Sequence, residues 1–377
     1  MATVKNTDIP EDEVIDILTR LPVKSLMRFK SVCKPWGDLL RNPDFIRQHH
    51  LKQTHLSCSS NFRVLMKHGA QPADCFFSLS LSSARDAGEE VLTLEERVYD
   101  PVVLGPCNGL LCVYGYREKI VLWNPAIREF KTLPLSPIKR RSGTGSFGSL
   151  GFGFDCEAND YKILRFVTDY FADDGAGVPS CDQIEIYSQK NDSWREIPSL
   201  DVCPGGVPWF SQYHNGVYYW WADGINGGLI LSFDFADEVF DKVPLPGVGV
   251  SWGDCLPQLA IFNGLLALIR YIRGGPETLV HIWVMSERGV KGSWVKQASI
   301  GLIPGVVRPL KFSRNGGFFL EDLEGQLSLY DPSSQQLKNL QLSGGEGLLQ
   351  VINYVESLVP INDRREDEDE PSAHIRI

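Results

Sequence analysis

The sequence predicts a small all-α unit followed by an all-β propeller, and three observations carry that expectation. The stretch from Ile9 to Phe45 is the strongest compact helical signal in a chain that otherwise reads as strands. From Phe62 onward the composition turns to alternating β-branched and aromatic residues cut by Gly, Asn, Asp and Pro, the pattern of short antiparallel strands. Those strands recur at intervals of 64, 46, 52 and 45 residues, and a period of that length marks a repeat architecture.

Three short helices are expected at the N-terminus. Asp8 or Thr7 offers a cap for the first, Pro10 suits an opening turn, and Glu11, Asp12 and Glu13 place negative charge against the positive end of the helix dipole. Val14, Ile17, Leu18 and Leu21 then fall at i, i+3, i+4 and i+7 as one apolar stripe. Pro22 ends that helix and opens a second, with Val23, Leu26 and Phe29 inward and Lys24, Arg28 and Lys30 outward. The third carries Val32, Cys33, Trp36, Leu39 and Leu40, with Pro43 just past its end. Helices this short do not hold themselves up alone. Some forty residues also make a marginal core, so either the rest of the chain or a partner must cover the apolar surface left over.

The repeat has a definite internal grammar. A strand ending in a bulky apolar residue and a small polar one recurs around Trp123, Tyr187, Phe233, Met285 and Tyr330, and a second strand opens with Phe130, Trp194, Phe240, Trp294 and Leu337, at offsets of 7, 7, 7, 9 and 7. Upstream of four anchors stands Asn-Gly (Asn108-Gly109, Asn215-Gly216, Asn263-Gly264, Asn315-Gly316), and Asn159-Asp160 takes that place in the fifth. Asn-Gly between apolar runs is a strong hairpin signal, because both residues tolerate the positive φ of a tight turn. Each unit is therefore four antiparallel strands, the blade of a propeller, and blades stack to bury faces that none could cover alone. Five blades read directly, at about 102–136, 148–200, 207–246, 256–301 and 307–342. A sixth is expected from both ends, CFFSLSL and EVLTLEE supplying outer strands and LLQVINYVESLVPI inner ones. The expectation is six blades, with seven as the alternative, closed by the C-terminal strands so that no sheet edge is left open.

Composition sets outer limits. A chain of 377 residues that is 43% hydrophobic buries a large core. A net charge of −10 and a pI near 5.3 argue against nucleic acid or an anionic membrane as the main partner. No apolar run approaches the length of a bilayer span, and MATVKNTDIPEDE lacks the apolar core of a signal peptide, so a soluble protein of the cytoplasm, the nucleus or both is expected. The nine cysteines have no Cys-x-x-Cys pair and no clustered histidines, which leaves reduced thiols and neither a disulfide framework nor a metal site. Gly143 to Gly148 fits G-x-G-x-x-G literally but leads into a strand, whereas a phosphate cradle leads into a helix. No His, Asp and Ser grouping and no close carboxylate pair points to catalysis, so neither catalytic residues nor a cofactor is expected, and a propeller enzyme is the weaker alternative.

The N-terminal run resembles the F-box. Ile9-Pro10 stands where that family has Leu-Pro, and LTRLPVKSLMRF and SVCKPW follow the plant form of the motif. The resemblance implies docking onto a SKP-type adaptor, and through it a cullin and a RING protein, in a multisubunit ubiquitin ligase. It assigns the adaptor-facing role to Ile9, Pro10, Leu21, Pro22, Val23, Leu26, Val32 and Trp36. The body resembles the kelch-like F-box-associated domain of plant F-box proteins, carried by CNGLLCVYGYREKIVLWNPAIREFKTLP, GFGFDCEANDYKILRF, IEIYSQKNDSW and NYVESLVPI. The resulting layout is an F-box over 7–46, a linker over 47–60, a propeller over 61–361 and a disordered acidic tail over 362–377.

Loop lengths then separate the two faces of the disc. Within a blade the first and third turns lie on one face, and here they are short; the long irregular connections fall on the other. Loops on a rigid scaffold are where binding usually resides, and aromatic residues and arginine are the usual anchors. Arg140, Tyr170, Phe171, Trp209, Trp252, Tyr271 and Arg273 are therefore the candidate contacts for an unidentified substrate protein. A scaffold that binds the adaptor without delivering substrate is the alternative function.

Overall fold

The structure is a computed structural model that describes residues 10–59, 63–68, 76–81, 90–92, 94, 96, 98, 101–115, 118–139, 146–168, 183–204, 211–224, 227–246, 256–273, 277–287, 293–313, 316–343 and 349–362. Four helices come first: α1 (Glu11–Thr19), α2 (Val23–Phe29), α3 (Lys34–Leu39) and α4 (Pro43–Ser59). Prolines punctuate them as expected. Pro10 and Pro22 stand at the N-caps of α1 and α2, and neither can supply a side-chain cap. Thr7 and Asp8, the expected caps of α1, lie outside the described residues.

The fourth helix is a departure from the sequence reading, which has residues 47–60 as a linker. Asn42 caps it, its Oδ1 accepting the Asp44 amide at 2.8 Å. The helix runs on to Ser59 because its polar residues turn inward and find partners at the end of α1. His49 Nε2 lies 2.8 Å from the Leu21 carbonyl, and Gln53 Nε2 donates to the carbonyls of Thr19 and Leu21 at 3.1 and 3.2 Å. A polar stretch thus satisfies the open carbonyls of a helix end, which hydrophobic periodicity does not reveal.

The β body corrects the expected blade count. Five blades, not six or seven, are each complete within one stretch of chain, over 102–132, 146–197, 203–243, 256–304 and 306–343. In four of them four strands follow one another outward in antiparallel order; in the third the inner strand is broken into Cys203–Pro204 and Ser211–His214, both pairing with Val217–Gly224. The remaining sheet joins strands from both ends of the chain, all antiparallel, in the order Gln350–Tyr354, Arg63–His68, Phe76–Leu81 and Glu90–Leu92. Its composition also differs from expectation. The C-terminus contributes one strand rather than several, and Arg63–His68 takes the second place, Arg63 lying opposite Tyr354. Residues 355–361 leave the sheet, and the Ser357 and Val359 carbonyls are taken by the Asn124 side chain of the first blade instead of by a neighbouring strand.

The innermost strands Val102–Cys107, Ser146–Asp155, Ser211–His214, Leu256–Phe262, Val306–Phe312 and Gln350–Tyr354 touch one another in succession and return to the first. Side chains stitch the last strand on both sides. Gln350 pairs with both backbone groups of Val103, and Asn353 Nδ2 donates to the Phe312 carbonyl at 3.0 Å.

The repeat grammar has a direct structural meaning. Trp123 lies opposite Phe130, Tyr187 opposite Trp194, Phe233 opposite Phe240, Met285 opposite Trp294 and Tyr330 opposite Leu337. The offset, seven residues in four blades and nine in the fourth, is the cross-strand register of the outer hairpin, and such pairs are the unit of sheet stabilisation. The Asn-Gly turns have the positive φ that they need: 48° and 81° at Asn108-Gly109, 46° and 81° at Asn215-Gly216, 49° and 78° at Asn263-Gly264. The core is divided into layers between blades. One packs Leu104, Cys107 and Leu122 of the first blade against Phe152, Tyr161 and Trp194 of the second; another packs Phe166 and Ile186 against Trp220 and Phe233 of the third.

Candidate functional site

The N-terminal helices form a small core of their own and expose an apolar surface beside it. Leu18, Val23, Leu26, Leu40, Phe45 and Ile46 are buried together, and Leu358 from the far end of the chain is buried among them. Ala126, Ile127 and Val359 pack against the same cluster. Ala126 and Ile127 belong to the turn between Lys119–Asn124 and Glu129–Thr132, a third turn of a blade. The helices therefore sit on the face of the disc that carries this short turn.

Of the eight residues expected to face an adaptor, the seven described ones divide into three groups. Pro10, Pro22 and Val32 are exposed, Val32 to 63%. Leu21 and Trp36 are half-buried, and Trp36 leans on Phe29 with ring centroids 5.6 Å apart. Val23 and Leu26 are corrections, since both are fully buried against the helix core and Leu358 and present nothing to a partner. Ile9 lies outside the described residues. Ile17, assigned by periodicity to the inward stripe, is 51% exposed and joins the open apolar set. Val32, expected within the third helix, lies in the turn before α3, where Cys33 is the N-cap.

The substrate-side candidates fare differently. Arg140, Tyr170, Phe171, Trp209 and Trp252 lie outside the described residues. Tyr271 is a correction: at 4% exposure it is part of the core layer between the fourth and fifth blades, with Ile269, Val280 and Phe312. The segment RYIRGGPET, expected to be a long loop, is mostly hairpin. Leu265–Arg273 and Glu277–Met285 pair through Arg273 opposite Thr278, so Arg273 ends a strand and only 274–276 connect.

Electrostatics around the helices are ordinary at the surface and unusual inside. The Arg20 guanidinium bonded to Asp16 at 2.6 Å holds that carboxyl below its usual range, with Lys52 adding at 3.4 Å. Burial pushes the His49 imidazole below its usual value, opposed by its bond to the Leu21 carbonyl. Burial likewise drives the Cys107 thiol up to about 12, so it stays protonated in the first blade. No helix among the described residues is long and apolar enough to cross a membrane.

Comparison with known proteins matches this arrangement of parts. The F-box domain model matches residues 7–48, and the model of the F-box associated beta propeller domain matches residues 77–361. This chain belongs to the F-box-associated propeller family. The Arabidopsis thaliana F-box/kelch-repeat protein At3g23880 is 29% identical over 374 residues, covering 94% of this chain and 96% of that protein. The Arabidopsis F-box protein CPR1 is 26% identical over 378 residues, covering 93% of this chain and 88% of the other. An F-box implies a SKP-type adaptor as its partner, and within this F-box Pro10, Ile17, Pro22 and Val32 are exposed.

Sequence reasoning missed the contribution of residues 355–361. Asn124, read only as a turn residue, is buried and donates from Nδ2 to the Ser357 and Val359 carbonyls at 3.0 and 2.8 Å. These partners stand more than 230 residues away, and no local pattern announces such a pairing.

Proposed function

We propose that this protein is the substrate-recognition subunit of a SKP–cullin–F-box ubiquitin ligase. Its F-box docks the SKP-type adaptor through Pro10, Leu21, Pro22, Val32 and Trp36, with Ile9 and Ile17 beside them. Cullin and the RING protein are reached through that adaptor. The opposite face of the propeller recruits the target protein, with Arg140, Tyr170, Phe171, Trp209, Trp252 and Arg273 as its candidate contacts, and the target is delivered for ubiquitination and degradation. The chain itself acts as an adaptor without catalysis.

The observation that carries this reading is the two-sidedness of the F-box. One side is sealed on the propeller through Leu358, Ala126 and Ile127, and the other leaves Ile17 and Val32 more than half exposed. Open apolar surface of this kind marks an interaction site.

The test is co-purification of the full chain with adaptor and cullin. Val32→Asp places a charge where the adaptor would bury a methyl group, at a position that makes no core contact in the free protein. It is expected to weaken adaptor binding by at least about 2 kcal/mol, the scale of an interface hot spot, and to leave the melting of the propeller unchanged. Undiminished binding by Val32→Asp together with Trp36→Ala sinks this docking surface. Co-purification with adaptor but never with cullin or a protein that turns over favours the scaffold function instead.

A further inference from the structure

The segment 355–361 lies between the F-box and the first blade and is bonded to both. Toward the F-box, Glu356 accepts the Val23 amide at Oε2 over 3.1 Å, and its own carbonyl lies 3.3 Å from His50 Nδ1. Helix α2 has no side-chain cap and no acidic residue in its first turn, so Glu356 supplies from 333 residues away the carboxylate that a helix N-terminus favours. Leu358 completes the F-box core with Leu18, Val23 and Leu26. Toward the propeller, Asn124 holds the Ser357 and Val359 carbonyls, Glu129 accepts the Ile361 amide at 3.0 Å, and Gln189 donates to the Ile361 carbonyl at 3.0 Å. Ser357 is fully buried against Gly109, whose missing Cβ leaves it room.

This strap follows directly on Gln350–Tyr354, the strand that completes the sheet shared by the two ends of the chain and links the fifth blade back to the first. It can be seated only when that strand is in place.

We propose that adaptor docking is conditional on closure of the propeller: the F-box acquires its docking-competent fold only once the C-terminal strand has seated the strap, through Glu356 on α2 and Leu358 in the helix core. Three short helices and one of 17 residues around so small a core are marginal by themselves. Removing a buried leucine from such a core opens a cavity, and removing a cap frees an orphan amide. When the competent state is only fractionally populated, apparent affinity falls by that fraction. The F-box is synthesised first but is completed last, so a chain that stops before residue 356 lacks both the closed propeller and a competent adaptor plug. The ligase would then not assemble around a receptor whose substrate domain is unfinished. This inference rests on the adaptor-docking function proposed above.

The test uses the full chain and purified SKP-type adaptor. Adaptor affinity is measured beside amide hydrogen exchange, read separately on α2 and on the blade strands, for the natural sequence, Glu356→Ala, Leu358→Asp and a control, Leu323→Ser, at an exposed turn of the fifth blade. The expected result is loss of α2 protection in Glu356→Ala and Leu358→Asp with the blades still protected, and adaptor affinity at least about ten-fold weaker, while Leu323→Ser matches the natural chain. Should Leu358→Asp also unfold the blades, Glu356→Ala decides, since the carboxylate it removes bonds α2. Protection of α2 and adaptor affinity both within about two-fold of the natural chain in Glu356→Ala overturn the inference. If the natural chain binds no adaptor, the proposed function fails, and the exchange of α2 still decides whether the strap completes the F-box.

Discussion

Gly109 shows how a single residue ties the two halves of the chain together. It has φ of +81°, and a Cβ placed on it would lie 2.3 Å from Ser357 Cβ and 3.0 Å from the Val355 carbonyl. Gly264 occupies the same turn position in the fourth blade with φ of +78° and meets nothing within 4 Å. The pair separates two costs. Gly264→Ala is expected to destabilise the protein by about 1–2 kcal/mol, the penalty of a Cβ in left-handed backbone. Gly109→Ala carries that penalty plus displacement of the strap, and is expected to cost about 3 kcal/mol or more. Urea unfolding of the two variants checks this, and equal costs would mean that the strap yields freely. Asn-Gly marks both turns in the sequence identically; only the presence of Ser357 in space distinguishes them.

At the scale of elements, α4 has the clearest dependence on solution conditions. His49 is fully buried, its Nε2 lies on the Leu21 carbonyl, and its Nδ1 has no hydrogen-bond partner. Its ring stacks on Phe45 with centroids 6.2 Å apart. Burial lowers its pKa in the folded state, so the unfolded chain binds the proton more readily. The contribution of the neutral ring is then fully present above the unfolded value of about 6.5 and is lost as the pH falls below it. Hydrogen exchange of the F-box amides, corrected for intrinsic rate, is expected to show α1 and α4 loosening between about pH 7 and pH 5, and His49→Gln is expected to flatten that dependence. A histidine variant as pH-sensitive as the natural chain would assign the effect elsewhere. Such inward polar groups explain which elements the sequence disclosed. The blades were readable because their determinants are local: a hairpin turn and an anchor pair seven residues apart, as at Trp123 and Phe130, are both fixed by cross-strand register. The N-terminal helices were readable from proline punctuation and apolar spacing. Helix α4 beyond Phe45 was not, because its inward residues are His49 and Gln53, which answer carbonyls of another helix. Tyr271 misled for the complementary reason: an aromatic residue near a Gly-Gly pair has the composition of a loop, and only pairing with Val280 shows it to be strand and core. The strap is nonlocal on both sides, so neither Glu356 nor Asn124 carried a sign of its role.

Over the whole molecule, neighbouring blades are joined by buried ion pairs as well as by apolar layers. Arg165 of the second blade is buried, bonds Glu185 in its own sheet, reaches Glu118 of the first blade at 3.3 Å and lies over the Trp194 ring at 4.5 Å. Lys162 joins the second blade to the third. Its Nζ bonds Asp155 at 2.7 Å, Glu238 at 2.8 Å and the Phe235 carbonyl at 3.1 Å, and Arg195 also holds Glu238. Burial by itself would raise both carboxyls. The Ala158 amide and Lys162 outweigh it at Asp155, and Arg195 and Lys162 outweigh it at Glu238, so both lie below the usual carboxylate range. Their contribution is thus present above the unfolded carboxylate values of about 4 and is lost as the pH falls through that range toward the folded values. Lys162→Met keeps the aliphatic stem and removes the charge, leaving the buried Asp155 and the partly exposed Glu238 short of a cation. Breaking one side of a buried pair costs about 3–5 kcal/mol, and the partial exposure of Glu238 brings the expected loss to roughly 2–4 kcal/mol at neutral pH. The pH dependence discriminates the cause. Once the carboxylates are protonated the lysine has nothing to compensate, so the gap between natural protein and Lys162→Met, read from urea midpoints, is expected to close below about pH 4. A gap that stays constant from pH 7 to pH 3 would assign the loss to packing of the side chain and not to the charge that bridges the blades.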